Sequence, residues 1–422
     1  MKREIKPITP DYIEDYLTIY LNAYPAFKSV GDEGRDKYRP RILYSMENDK
    51  HIHFYGLFED GKLIAQMKLI DFSMNAFGKM IKACGLMALG VHPMHKKKGA
   101  ARDMVRFFEE YTRESGASVA MLLPFRIDFY RQMGYGYGSK MEEYRLPTIN
   151  LPAADKEELK KLSFIGSDEA ATNEILQCYS TFSEKNHGMC LKFEDEIRAL
   201  DGDSDTRRVG YYKNGQLKGY VFFNFVCESD VNYTLNRMEV TELVYHSPEV
   251  LKTLLGFLRN QSDLAQTTVI RTGEPDFYHL LPSAQDTSNN YMDFGFLQTN
   301  VAAVGTMYKV VNLKEFIKST SHRKFIPCKL TVKFDYESEL YHTENSFAVA
   351  FGADGHWSIG NIEDSEVTVL CKLSDLSSLL MGSAEFSSLV RLGVIRISDE
   401  SYVELLDTLF HCKQKPWTNT DY

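Results

Sequence analysis

The stretch Leu86–Arg102, LMALGVHPMHKKKGAAR, decides how the chain is read. Leu86–Val91 is an apolar run of strand length, and His92-Pro93 leads it into a basic turn, His95-Lys96-Lys97-Lys98-Gly99-Ala100. Beyond the turn, Ala101, Met104, Val105, Phe108 and Tyr111 recur at the three-and-four spacing of one helix face. A strand that opens into a helix start presents unbonded N–H groups and the positive end of a dipole, which together suit an anion. Three lysines and Arg102 add charge, and Gly99-Ala100-Ala101 keeps side chains off the backbone, so a large phosphorylated ligand can approach. The turn matches neither the GxxxxGK[ST] nucleotide loop nor the GxGxxG dinucleotide turn. A βα-loop that is basic only because it is exposed fits the same residues.

Upstream, Thr9-Pro10 reads as a helix start ahead of Ile13, Tyr16, Leu17, Tyr20 and Leu21, and Tyr24-Pro25-Ala26-Phe27 as the helix end. His53–Leu57 and Leu63–Ile70 form a hairpin about Asp60-Gly61, and a separate strand is expected near Lys79–Cys84. Downstream, Ser118–Leu123 reads as a strand parallel to Leu86–Val91, and Pro124-Phe125-Arg126 turns the chain into Ile127–Tyr135. The order helix, hairpin, strand, helix, strand then recurs between residues 168 and 271. In that copy His246-Ser247-Pro248-Glu249 replaces the lysines and glycine, and Glu249 opposes a phosphate. The second unit is therefore read as a degenerate repeat that packs and shapes a pocket without holding the cofactor. From Met307 onward strands and helices suggest an α+β segment. Its polar end carries Trp417 and Tyr422, which points to a docked tail.

A length of 422 residues implies two or three domains. The net charge of -9 speaks against a nucleic-acid partner and suits cationic small substrates. The seven cysteines are odd in number and scattered, without CxxC or Cys/His spacing, so no metal site is expected and a reducing cytoplasm is. No apolar run approaches membrane-spanning length, and Met1-Lys2-Arg3-Glu4 does not begin a signal peptide.

The segment from Val91-His92-Pro93 to Lys98-Gly99-Ala100-Ala101 resembles the acetyl-CoA pyrophosphate loop of GNAT-fold N-acetyltransferases. With Phe129-Tyr130-Arg131-Gln132-Met133-Gly134-Tyr135-Gly136 downstream, the likeness narrows to the enhanced-intracellular-survival (Eis) acetyltransferases and covers essentially the whole chain. The resemblance implies an α/β, α+β multidomain protein: a catalytic GNAT domain over 1–148, a degenerate GNAT-like domain over 149–304, and a sterol-carrier-protein-2-like domain over 305–422. It implies acetyl-CoA as cosubstrate, transfer to primary amines of an aminoglycoside-like polycation at several positions, and a homohexamer. Tyr130 matches the family's general acid, and the main-chain carboxylate of Tyr422 its general base. Acetyl-CoA contacts carry over onto Leu89, Gly90, Val91, Lys97, Lys98, Gly99, Ala100, Ala101, Arg102, Phe125 and Arg126. Lysines stand where mycobacterial-type members are arginine-rich, which keeps the charge and loses the bidentate fork.

From the residues alone, Tyr130 reads equally as a core aromatic beside Phe129 and Tyr135. Tyr24, Phe27 and Phe129 are candidates to line the acceptor side, and Asp32, Glu33, Asp36 and Asp128 to attract a polycation. Two alternatives stand beside the small-molecule reading. One is a protein or peptide lysine N-acetyltransferase; the other is a lipid-binding or structural protein with a vestigial transferase, which requires an apolar tunnel in 312–422.

Overall fold

The computed structural model describes residues 2–24, 30–201, 205–338 and 343–420. They form two compact units, 1–138 with 306–413, and 139–305 with 414–421. In the first unit, β1 (Arg3–Pro7), β2 (Ile52–Glu59), β3 (Lys62–Ala76), β4 (Lys79–Val91), β5 (Val119–Leu122) and β6 (Gly136–Tyr137) are joined by β16 (Met307–Val310). The sheet order is β1-β2-β3-β4-β5-β16-β6. Asp60 and Gly61 take φ of 48° and 82°, the left-handed pair a two-residue hairpin between β2 and β3 needs. The separate strands expected near Lys79–Cys84 and at Leu86–Val91 are one. Gly85, which reads as a break, is held on both sides by Ile70 and Met121.

Four helices accompany this sheet: α1 (Ile13–Ala23), α2 (Asp32–Asn48), α3 (Ala100–Glu114) and α4 (Ile127–Gln132). The periodicity of α1 and α3 is plain in the sequence. That of α2 is not, because Pro40 interrupts it and no apolar stripe marks it. Tertiary contacts hold it instead. Arg35 and Arg39 pair with Glu14 of α1 at 2.8 and 2.7 Å, Ile42 is buried, and Tyr38 meets Tyr20 edge-on at 5.6 Å.

The second unit repeats the plan. Its sheet runs β15-β7-β12-β11-β10-β9-β8. The strands are β7 (Lys140–Pro147), β8 (Leu162–Phe164), β9 (Arg207–Lys213), β10 (Gln216–Cys227), β11 (Asn236–Tyr245), β12 (Thr267–Thr272) and β15 (Val301–Val304). A small hairpin, β13 (Tyr291–Met292) with β14 (Phe296–Leu297), precedes β15. The helices are α5 (Lys156–Leu159), α6 (Glu169–Ser183), α7 (Glu194–Asp201) and α8 (Pro248–Arg259). Residues 140–147, which the resemblance places in the first domain, pair with β12 and β15, Pro147 opposite Thr267. Each sheet thus takes a strand from a part of the chain that the order of motifs assigns elsewhere.

The last segment adds a five-stranded sheet, β19-β18-β17-β20-β21. It is built from β17 (Leu330–Ser338), β18 (Thr343–Phe351), β19 (Trp357–Ile359), β20 (Val367–Lys372) and β21 (Arg396–Ile397). With it come α9 (Leu313–Ser319), α10 (Leu373–Leu380), α11 (Phe386–Arg391) and α12 (Val403–Phe410). Phe334, Phe351, Trp357, Phe386 and Phe410 fill its core. α10 fastens it to the first sheet: Asp375 pairs with Arg131 at 2.7 Å, and the Ser377 and Ser378 hydroxyls donate to the Gly134 and Tyr137 carbonyls. This is why 306–413 group with 1–138.

One buried ion pair ties these parts together. Lys309 of β16 meets Glu109 of α3 at 2.7 Å, with the side chains 2% and 3% exposed, and donates to the Met133 carbonyl just past α4 at 2.6 Å. Replacing one partner of such a pair strands the other charge out of water. Lys309→Met is expected to cost about 3–5 kcal/mol, read by denaturant unfolding, with Lys309→Met/Glu109→Leu recovering part of it. An unchanged midpoint for the single variant contradicts this reading.

Candidate active site

Two strands part company in the first unit. β4 and β5 pair in parallel from Ala83–Val119 to Leu86–Leu122, where the ladder ends. β4 runs on for residues 87–91, still paired with β3, while β5 stops. A register shift opposite Gln66–Lys68 and a left-handed Ala88 (φ 54°) mark the place where β4 bends away. The β5-facing edge of Leu89, Gly90 and Val91 is thereby left without a strand partner. A slot lined by backbone groups results. Tyr24, at the end of α1, donates its hydroxyl to the Leu89 carbonyl at 3.1 Å, and burial pushes that hydroxyl up to about 12.

The chain leaves β4 through a tight turn into α3. Lys97 (φ 61°) and Gly99 (φ 85°) are both left-handed, a bend that aims successive N–H groups to one side. Gly99 caps the helix without a side-chain bond, so the first-turn N–H groups of Ala100, Ala101 and Arg102 have no side-chain cap. Lys97, Lys98 and Arg102 are exposed around this end, whereas Ala100 is buried and sets the helix close against the sheet. Asp103 in the first turn would repel an anion, but Arg3 donates to it at 2.9 Å and to the Lys98 carbonyl at 3.1 Å. Removing the lysine charges tests the anion site. Lys97→Gln/Lys98→Gln is expected to weaken acetyl-CoA binding by about fivefold per lysine at low salt, roughly 1 kcal/mol each, in calorimetry. The gap should close as salt is raised; equal affinity at low salt counts against the site.

Across the slot, β5 turns at Leu123-Pro124 into α4. Tyr130 on α4 is 2% exposed, in ring contact with Phe125 (5.8 Å), Phe129 (5.1 Å) and Tyr135 (5.8 Å). Burial, with a smaller contribution from nearby Tyr24, raises its hydroxyl above the ordinary tyrosine range, so it stays protonated at neutral pH. Phe125 is exposed, and Arg126 is turned toward Asp128, its Nε donating at 3.0 Å. Asp128 is therefore an ion-pair partner, and so is Asp36, which accepts from Arg39 at 2.8 Å. Asp36 and Asp128, candidates to attract a polycation, thus lie in exposed pairs with neighbouring arginines. Asp32 and Glu33 are exposed at the start of α2. Phe27 and Tyr422 lie outside the described residues.

Sequence reasoning named Tyr16 and Tyr20 only as helix-face residues and passed over Gln66. Tyr16, Tyr20 and Tyr24 line one side of α1, ring to ring at 5.9 and 5.6 Å. Gln66 on β3 is fully buried opposite Gly90, and neither its amide nitrogen nor its oxygen has a hydrogen-bond partner among the described residues. A lone amide inside the apolar run Leu63–Ile70 was the available signal for it.

The second unit has a similar opening with different chemistry. β11 and β12 pair in parallel from Arg237–Thr267 to Val240–Ile270, and β11 then runs on to Tyr245 past a register shift against β10. The following helix, however, is capped by its own Ser247, which accepts from the Val250 N–H. Pro248 has no N–H to offer, and Glu249 brings negative charge. No equivalent of the exposed glycine turn is present at this helix start.

Residues 4–138 and 189–301 each match a family model described as an acetyltransferase (GNAT) domain. No curated protein matches the chain. Among solved structures, a GCN5-related N-acetyltransferase from Anabaena variabilis superposes with a TM-score of 0.80 at 14% identity, covering 100% of both chains. One from Kribbella flavida gives 0.76 at 17%, covering 100% of this chain and 98% of that one. Eis1 from Mycobacterium abscessus gives 0.76 at 17%, covering 100% of both. At such identities these likenesses speak to the fold, which is that of a tandem GNAT protein. The protein is an acetyl-CoA-dependent N-acetyltransferase, with acetyl-CoA as its cosubstrate.

Proposed function

We propose that the protein transfers acetyl groups to primary amines of a small, aminoglycoside-like polycation, using the slot of the first unit. The observation that carries this is the pairing of an uncapped, lysine-ringed helix start with a buried, protonated tyrosine on the other wall of the same slot. In this reading the diphosphate of acetyl-CoA lies on the N–H groups of Gly99–Arg102, with Lys97, Lys98 and Arg102 around it, and Phe125 and Arg126 on the far side. The pantetheine amides pair with the free edge of Leu89–Val91, and an N–H of that edge polarises the thioester carbonyl.

The neutral amine attacks that carbonyl, forming the C–N bond. Collapse of the tetrahedral adduct breaks the C–S bond, and Tyr130 gives its proton to the departing thiolate. The family resemblance assigns the balancing base to the carboxylate of Tyr422, which accepts the ammonium proton directly or through water. An α-carboxylate of ordinary pKa, about 3.5, is a weak base, so this role calls for a desolvated setting. The acceptor's cationic groups are met by Asp32, Glu33 and the tyrosine faces of α1, which attract cations through their rings.

The aminoglycoside class, the Eis family assignment and a homohexamer are what the sequence resemblance implies; the likeness to Eis1 agrees with it in fold. The five-stranded sheet with its helices supports the sterol-carrier-like reading of the last segment. A cavity of ≈ 690 Å³ on that sheet is lined by Lys333, Asp335, Glu337, Lys372 and Arg396 among others, a charged lining that does not favour a lipid carrier. All seven cysteines are free, in keeping with a reducing cytoplasm. Peptide lysines remain the competing acceptors.

Thiol release from acetyl-CoA, measured against aminoglycosides, polyamines and lysine peptides, tests the substrate class; turnover on peptides alone would overturn it. Tyr130→Phe keeps the packing and is expected to lower kcat on the order of 10²–10⁴-fold with little change in the acetyl-CoA KM. Unchanged kcat, with chemistry limiting, returns Tyr130 to the core.

A further inference from the structure

The second unit's slot is filled. The segment 416–420 runs through it in extended form, with Pro416, Thr418 and Thr420 buried while Trp417 and Asn419 line the opening of β11 and β12. The Trp417 N–H donates to the His187 carbonyl at 3.2 Å, and the Pro416 carbonyl accepts from the Ser139 N–H at 3.1 Å. Gln414 is gripped twice, accepting from the His187 N–H at 2.9 Å and donating to Asn186 at 2.5 Å. At the far end Thr420 meets the buried Tyr179 hydroxyl at 3.4 Å.

The walls are shaped for this occupant. A Cβ at Gly273, directly after β12, would stand 2.4 Å from Cγ of Trp417, so only glycine leaves room for the indole. A Cβ at Gly188 would stand 2.5 Å from the Trp417 nitrogen, and its φ of 88° suits glycine as well. The pocket left where Trp417 and Asn419 meet β11 and β12 is ≈ 30 Å³, far too little for a pantetheine arm. Behind it, Glu242 is held by Lys192 at 3.0 Å and by the Tyr220 hydroxyl at 3.1 Å, all buried, so this wall is fixed.

We infer that the strand opening of the second unit, which in the first unit takes the cosubstrate, serves here as a clamp for the chain's own 414–420 segment, with Trp417 as its anchor. The clamp excludes acetyl-CoA from the second unit and leaves one cosubstrate site per chain. The clamp does not rest on the acetyl-transfer reading above.

The test uses the full chain with Trp417→Ala, Trp417→Phe, Gly273→Ala and deletion of Tyr422. Hydrogen exchange over 414–420 by mass spectrometry is expected to speed up by about tenfold or more in Trp417→Ala and in Gly273→Ala, whose tail sequence is intact. Trp417→Phe should keep most of the protection. Calorimetry on the unaltered chain should give one acetyl-CoA per chain.

Unaltered exchange in both Trp417→Ala and Gly273→Ala overturns the clamp, as does a stoichiometry of two. If deleting Tyr422 leaves kcat unchanged, the base assignment fails, and the exchange data alone decide the clamp.

Discussion

A parallel ladder that stops at Leu86–Leu122 is the constraint on which the first unit's chemistry depends. Backbone N–H and C=O groups rarely go unpaired, so a strand edge left open inside a fold is costly unless a ligand is there to use it. Here β4 bends away from β5 through a left-handed Ala88, and the chain then enters α3 through Lys97 and Gly99, both left-handed as well. Three residues in strained or glycine-only conformations within twelve positions fix the direction of the helix axis. The edge suits an amide-bearing arm, and the helix start suits its diphosphate. Neither would work at this spacing without the other.

The same geometry in the second unit shows that shape alone does not confer the activity. Its opening between β11 and β12 is retained, but Ser247, Pro248 and Glu249 close the helix start to anions. At that opening lies the chain's own 416–420, its main chain bonded to His187 and Ser139. Lys309 plays the corresponding structural part in the first unit. It carries a charge into the core where α3, the end of α4 and a strand from far downstream meet.

Much of this was legible before the structure. The strand–turn–helix of Leu86–Arg102, the hairpin at Asp60-Gly61 and the duplicated element order all follow from local rules, because each element advertises itself through spacing or a turn residue. The exchange of 140–147 and 307–310 between the sheets does not, since pairing partners are chosen by tertiary register and no local pattern encodes them. α2 was hidden because its stability comes from Arg35 and Arg39 reaching Glu14 rather than from an apolar face. The pairing of Asp36 with Arg39 and of Asp128 with Arg126 was not singled out, because the sequence offers several nearby cations and does not say which is used. Tyr130 and the lysine turn could be placed by resemblance. The seat of Trp417 could not, because Gly188 and Gly273 acquire meaning only when the tail lies against them.

The central claim is that one acetyl-CoA binds per chain, in the first unit's slot. A crystal structure with bound CoA tests it most directly. The account predicts the diphosphate on the N–H groups of Ala100–Arg102 and the thiol beside the Tyr130 hydroxyl. CoA lodged between β11 and β12 at the start of α8, or density on neither helix start from protein shown to bind it, would contradict the account.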